Sequence, residues 1–153
     1  MATLKDLHRR MNRIADNIDD AVKEVRDDTA AYLVEELIDR TPVDTSKALS
    51  NWRVTVGAIM PDIPALTVGS RGSTRAASAA SALAAAQAAI RAADPKAVLV
   101  IFNSVKYIRA LNGGSSSQAP AGFVEAAHLL ARMFAKTRRL NLDSSIGRGS
   151  LNE

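Results

Sequence analysis

The chain has 153 residues, 47% of them hydrophobic, enough for one closed core and too few for two. Twenty Lys and Arg against sixteen Asp and Glu give a formal charge of +4, which permits contact with nucleic acid or another acidic surface without requiring it. The absence of cysteine excludes disulfides and thiolate metal sites, so packing must hold the fold together.

The start, "MATLKDLHRRMNR", carries no apolar block of the kind that directs export, and the reading is of a cytoplasmic product. Leu4, Leu7, Met11, Ile14, Ile18, Val22, Val25, Thr29, Leu33 and Leu37 recur at helical spacing, while Arg9, Arg10, Asp16, Asp19, Asp20, Lys23 and Asp27 fill the opposite face. The pattern predicts one helix over residues 3–39, roughly 55 Å long at 1.5 Å per residue, longer than a domain of this size is wide. Part of its apolar stripe then needs a cover from outside its own domain, which makes Leu4, Leu7, Met11, Ile14, Ile18, Val22 and Val25 a candidate oligomer interface. The alternative is a break near residues 27–29 into two shorter helices on a local core.

Pro42 drives Thr41 out of helical geometry, and Asp44, Thr45 or Ser46 can then cap a short turn through residues 47–49. Trp52, Val54 and Val56 alternate with Arg53 and Thr55 in the period of a strand with one covered face, Trp52 belonging to the core. The prolines and glycines of "MPDIPALTVGSRGSTR" predict a turn, a short edge strand at residues 65–68 and a loop exposing Arg71 and Arg75. Residues 76–93 read as an alanine-rich helix closed by Asp94 and Pro95, too polar for a membrane span. Its small side chains suit either close approach to a neighbour or simple solvation.

The run "AVLVIFN" at residues 97–103 fits a central strand covered on both faces. Tyr107, Ile108 and Leu111 precede the loop "NGGSSSQAP". Phe123, Ala127, Leu130 and Phe134 then form one face of a last helix that starts near residue 121, with Pro120 suited to its first turn. From residue 138 the chain is polar and without period, a flexible tail behind a single domain of residues 1–137. The fold class is therefore α+β: a long N-terminal helix on a small, mainly antiparallel sheet of three or four strands, with an alanine-rich and a C-terminal helix.

No catalytic constellation emerges. His8 and His128 lie far apart in sequence, without a zinc-binding spacing around either. "VGSRGS" and "GRGS" lack the strained elbow of a serine nucleophile, and "NGGSSS" lacks the lysine of a phosphate-binding loop. The expectation is a chain with no enzymatic activity, no cofactor and no metal.

Two blocks together, "TPVDTSKALSNWRVTVG" at residues 41–57 and "VLVIFNSVKYIRALNGGSSSQAPAGFVEAA" at residues 98–127, resemble the neck and tail-completion proteins of tailed bacteriophages, including the minor tail protein Z type. The resemblance places a Thr-Pro-Val-Asp-Thr turn and a tryptophan strand at Thr41, Pro42, Val43, Asp44, Thr45 and Trp52. It places a candidate interface loop at Tyr107, Asn112, Gly113, Gly114, Gln118, Ala119, Pro120 and Phe123. Ser46 stands where the family usually has glycine, and Asn112 where an acidic residue is common. What the resemblance implies is a structural virion protein: copies form a homo-oligomeric ring at the head-tail junction, assembled in the host cytoplasm against other neck, adaptor and tail proteins. Membranes have no part in it. Non-specific contact with genomic DNA in the channel would fall to Lys136, Arg138 and Arg139. The rival reading is a basic DNA-binding or DNA-packaging accessory using Arg9, Arg10, Arg13, Arg138 and Arg139.

Overall fold

The computed structural model describes residues 3–59, 69 and 72–138. Helix α1 runs from Leu4 to Arg40 without a break, so the two-helix alternative is not realised. Its start is fixed by a capping box: the Asp6 amide donates to Thr3 Oγ1 at 3.3 Å, and the Thr3 amide donates to Asp6 Oδ2 at 3.0 Å. Its end is set by Pro42, which holds Thr41 at an extended ψ of 122°; the Thr41 amide closes the last turn on the Leu37 and Ile38 carbonyls.

The turn that follows is kept compact by Ser46, which takes a φ of 61°. Left-handed geometry is what glycine adopts most easily, so the serine reproduces the turn at some steric cost. Ser46 is buried, and its hydroxyl accepts a hydrogen bond from Thr74 Oγ1. The short 3-10 turn Leu49–Asn51 carries no side-chain cap; the Ser46 carbonyl accepts the Ser50 amide in place of the capping expected from Asp44, Thr45 or Ser46 side chains.

Strand β1, Trp52–Val56, pairs antiparallel with β2, Leu99–Asn103, in a register that sets Trp52 opposite Asn103 and Val56 opposite Leu99. Trp52 and Val54 are buried as the alternation requires, but Val56, at the open end of the ladder, is exposed. The expectation of three or four strands gives way to a two-stranded sheet among the described residues, and the edge strand expected at residues 65–68 lies outside them. β2 is therefore not a central strand: Leu99 and Ile101, on the same face as Trp52 and Val54, pack against the core while staying partly exposed, and only Phe102 is fully buried.

Helix α2, Arg75–Ala92, buries Ser78, Ala82, Ala86 and Ile90, a line of every fourth residue. Small side chains along that line let the helix lie close against α1, β1 and the 3-10 turn, which settles the choice between close approach and solvation in favour of packing. A five-residue helix, α3 (Ile108–Asn112), where the sequence pattern predicts no element, leads into the loop. Helix α4, Phe123–Thr137, lies along the C-terminal half of α1, with the Tyr32 and Phe134 rings stacked at 4.6 Å and 9°. Pro120 sits two residues before the Gly122 cap, outside the first helical turn it was expected to occupy.

One core results. Val34, Leu37 and Ile38 of α1 meet Leu49, Trp52 and Val54, the alanine line of α2, and Phe123 and Ala127 of α4. The tail beyond residue 138 lies outside the described residues.

Candidate functional site

The C-terminal half of α1 is sealed into this core and its N-terminal half is not. Val34 is 0% exposed, whereas Leu4 is 88%, Met11 60% and Ile18 41% exposed, with Leu7, Ile14 and Val22 also open. The run Leu4–Val22 forms an arm whose large apolar side chains face solvent, with Ala21 alone among its apolar residues buried at the root. Val25, of the same predicted set, is half-buried where the arm joins the domain.

The root of the arm is fastened by charge. Arg26 Nη1 donates to the carbonyls of Asp94, Pro95 and Ala97 at 2.7, 3.0 and 2.9 Å, and its other nitrogens grip Asp27. The cation thus sits on the turn that follows α2, satisfying three of its backbone carbonyls. Lys96 pairs with Asp19 at 3.0 Å, and that hydrogen bond and the carboxylate charge hold its ammonium pKa above the ordinary lysine value. Arg138 closes the far side, pairing with Asp28 and lying 5.5 Å over the Phe134 ring. Of the basic residues expected to face DNA, Arg138 is thus paired within the chain while still partly exposed, and Arg139 lies outside the described residues.

The two motif blocks that are distant in sequence meet in space. The turn of Pro42, Val43, Asp44, Thr45, Ser46, Lys47 and Ala48 faces Tyr107, Leu111, Ser116 and Gln118 across a groove of about 360 Å³. The Val43 amide donates to Gln118 Oε1 at 2.9 Å, tying one block to the other. Thr41 and Trp52 are deep beneath the groove, and Asp44, Thr45 and Tyr107 are exposed on its rim. Gly113, Gly114 and Pro120 are exposed, while Ala119 is half-buried and Phe123 is fully buried in the core.

Asn112 is the member whose role sequence reasoning missed. Gly122, at a φ of 80°, caps α4 without any side chain to accept its free amides. Asn112 does this from outside the helix: its Oδ1 accepts the Val124 amide at 2.9 Å, its carbonyl accepts the Gly122 amide at 2.7 Å, and its Nδ2 donates to both oxygens of Glu125. The hydrogen bond from Asn112 holds the Glu125 carboxyl below the usual glutamate range. A residue expected at the tip of an interface loop is a helix cap at its base. The only local signal was the glycine at the helix start, which leaves the cap to be supplied from elsewhere.

His8 stands on the arm beside Asn12 and His128 on the exposed face of α4; no group of three or more metal-ligating side chains converges among the described residues. No helix among them is long and apolar enough to cross a membrane.

A protein-family model described as "Bacteriophage HK97-gp10, putative tail-component" matches residues 5–114, well over half of the chain. The match takes in the arm, the Thr-Pro turn, both strands and α3, and stops short of Gln118 and α4. No curated protein and no solved structure matches the chain. By that match, which spans the arm, the turn and the two-stranded ribbon, the chain belongs to the HK97-gp10-like family of bacteriophage tail components, structural parts of the virion.

Proposed function

We propose that the chain is a subunit of the phage neck, forming a homo-oligomeric ring at the head-tail junction that completes the tail for joining, as the tail-completion proteins of the minor tail protein Z type do. The observation that carries this reading is the arm. A helix sealed along one half and open along the other leaves six large apolar side chains in water, and such a surface is stable only when another chain covers it. The Pro42 turn and the Arg26 contacts fix the direction in which the arm leaves the domain, so identical copies present it at a common angle, the condition for a closed head-to-tail assembly. The groove between residues 42–48 and the segment from Tyr107 to Gln118 supplies a second surface, of mixed apolar and polar lining, suited to a neck, adaptor or tail partner. On this reading the protein acts in the virion after assembly in the host cytoplasm.

The test is a phage carrying Leu7→Asp, Met11→Asp and Ile14→Asp together. The expected result is the accumulation of separate filled heads and tails with few joined particles. Joined, infectious particles at the normal yield would contradict the proposal.

A further inference from the structure

Asn112 and Gly113 form the one Asn-Gly pair in the sequence, and such a pair carries a reaction of its own. The backbone nitrogen that follows an asparagine attacks the side-chain amide carbon: a bond forms from that nitrogen to Cγ, the bond from Cγ to Nδ2 breaks, and ammonia leaves. Water then opens the cyclic imide to aspartate or, through its other carbonyl, to isoaspartate, whose backbone is a methylene longer. A glycine in second position favours the closure because it has no side chain to obstruct the ring. Water is the only other reactant.

The fold restrains each group that this reaction must move. Cyclisation requires the Asn112 side chain to swing over the Gly113 amide and that amide to give up its proton. The side chain is held elsewhere: Oδ1 accepts the Val124 amide at 2.9 Å, and Nδ2 donates to the two Glu125 oxygens at 3.0 and 2.8 Å. The Gly113 amide donates to the Arg109 carbonyl at 2.9 Å, and the Gly122 amide fixes the Asn112 carbonyl at 2.7 Å. The side-chain restraint therefore comes from α4, not from the helix that Asn112 ends. Nor does the backbone demand glycine here: Gly113 takes a φ of −76°, and a methyl group would meet only the Ala110 and Arg109 carbonyls at 3.4 Å.

We infer that Asn112–Gly113 is a latent deamidation site, kept unreactive in the folded chain by the start of α4 and released when α4 lifts away. The same geometry sets what release does. Aspartate at 112 keeps an acceptor for the Val124 amide but has lost the Nδ2 donor, and its carboxylate faces that of Glu125, a repulsion in place of a hydrogen bond. Isoaspartate also shifts the backbone under Gly122. A transient opening of α4 thus becomes a permanent one. Gln118, on the loop between Asn112 and α4, accepts the Val43 amide, so the change reaches the wall of the groove. None of this rests on the neck assignment.

Peptide mapping of the full chain, held at mildly alkaline pH either folded or unfolded in urea, resolves asparagine, aspartate and isoaspartate at position 112. Conversion should be roughly tenfold or more slower in the folded chain, because local opening must come first. Glu125→Ala removes the partner of Nδ2 at an exposed position and keeps a good helix former, so it should raise the folded-state rate several-fold and leave the rate in urea unchanged. Gly113→Ala fits the backbone and should suppress conversion in urea, assigning the reaction to this bond. Equal rates in the folded and unfolded chain would overturn the inference, as would a Glu125→Ala protein no less protected than the unaltered one. Undiminished conversion of unfolded Gly113→Ala would overturn it too.

Discussion

Trp52 Nε1 donates a 2.8 Å hydrogen bond to Thr41 Oγ1, and both residues are buried. The Thr41 hydroxyl in turn donates to the Leu37 carbonyl inside the last turn of α1. One threonine thus closes the long helix and receives the first residue of β1, so the angle between arm and sheet is set by a hydrogen-bonded hinge rather than by loose packing. Replacing Thr41 with Val leaves the indole donor unpaired in the core and should cost about 1–3 kcal/mol. Trp52→Phe loses the same bond and some volume and should cost a similar amount. The double variant should lose less than the two combined, because the bond is lost only once; urea denaturation of the four proteins checks this. Additive losses would show that the bond does not join the two elements.

Arg26 makes a second prediction. Three backbone carbonyls converge on one guanidinium nitrogen while the rest of the fork holds Asp27, a geometry that a lysine ammonium cannot reproduce. Arg26→Lys should free the turn at residues 94–97 from the arm while leaving the core folded. Amide hydrogen exchange should rise across residues 94–98 and stay unchanged in the second half of α1. Equal protection in the two proteins would assign the turn's order to α2 alone.

The third concerns Asn112. Asn112→Ala removes the acceptor for the Val124 amide and the donor to Glu125, and should destabilise α4 by about 1 kcal/mol, the ordinary worth of a helix cap. The Glu125 carboxyl, now held below the ordinary glutamate value of 4.5 by its Asn112 hydrogen bond, should return to the ordinary range, which an NMR titration reads directly. The sign follows from the lowered folded-state pKa. This interaction stabilises the fold above the unfolded-state value and loses its contribution as pH falls through the folded one. In the variant that acid-side loss should shrink. A Glu125 midpoint unmoved by the substitution would mean that the cap does not set it.

Legibility in the sequence follows the range of the interactions. The arm was readable because its signal is periodic and local: one residue type every three or four positions over ten turns, closed by Thr41 and Pro42. The tryptophan strand was readable for the same reason, and the alanine-rich helix from the helix propensity of alanine and its Asp94-Pro95 stop. The strand count was not, because "AVLVIFN" is as apolar as a central strand, and only the fold reveals that β2 has a single partner among the described residues. The Arg26 clasp was hidden by a separation of about seventy residues between donor and acceptors. Asn112 was hidden because capping normally comes from the residue at the helix start, and here that residue is a glycine. The groove between the motif blocks depends on the Val43 and Gln118 hydrogen bond, another contact with no local trace.

The central claim is that the open half of α1 is a contact surface for other chains. Sedimentation velocity of the full chain, beside the Leu7→Asp, Met11→Asp, Ile14→Asp variant, measures it most directly. The account predicts association of the unaltered protein and a monomeric variant with the same melting temperature, since the three side chains touch nothing in the core. An unaltered protein that stays monomeric at every concentration, or a variant that associates equally well, would contradict it.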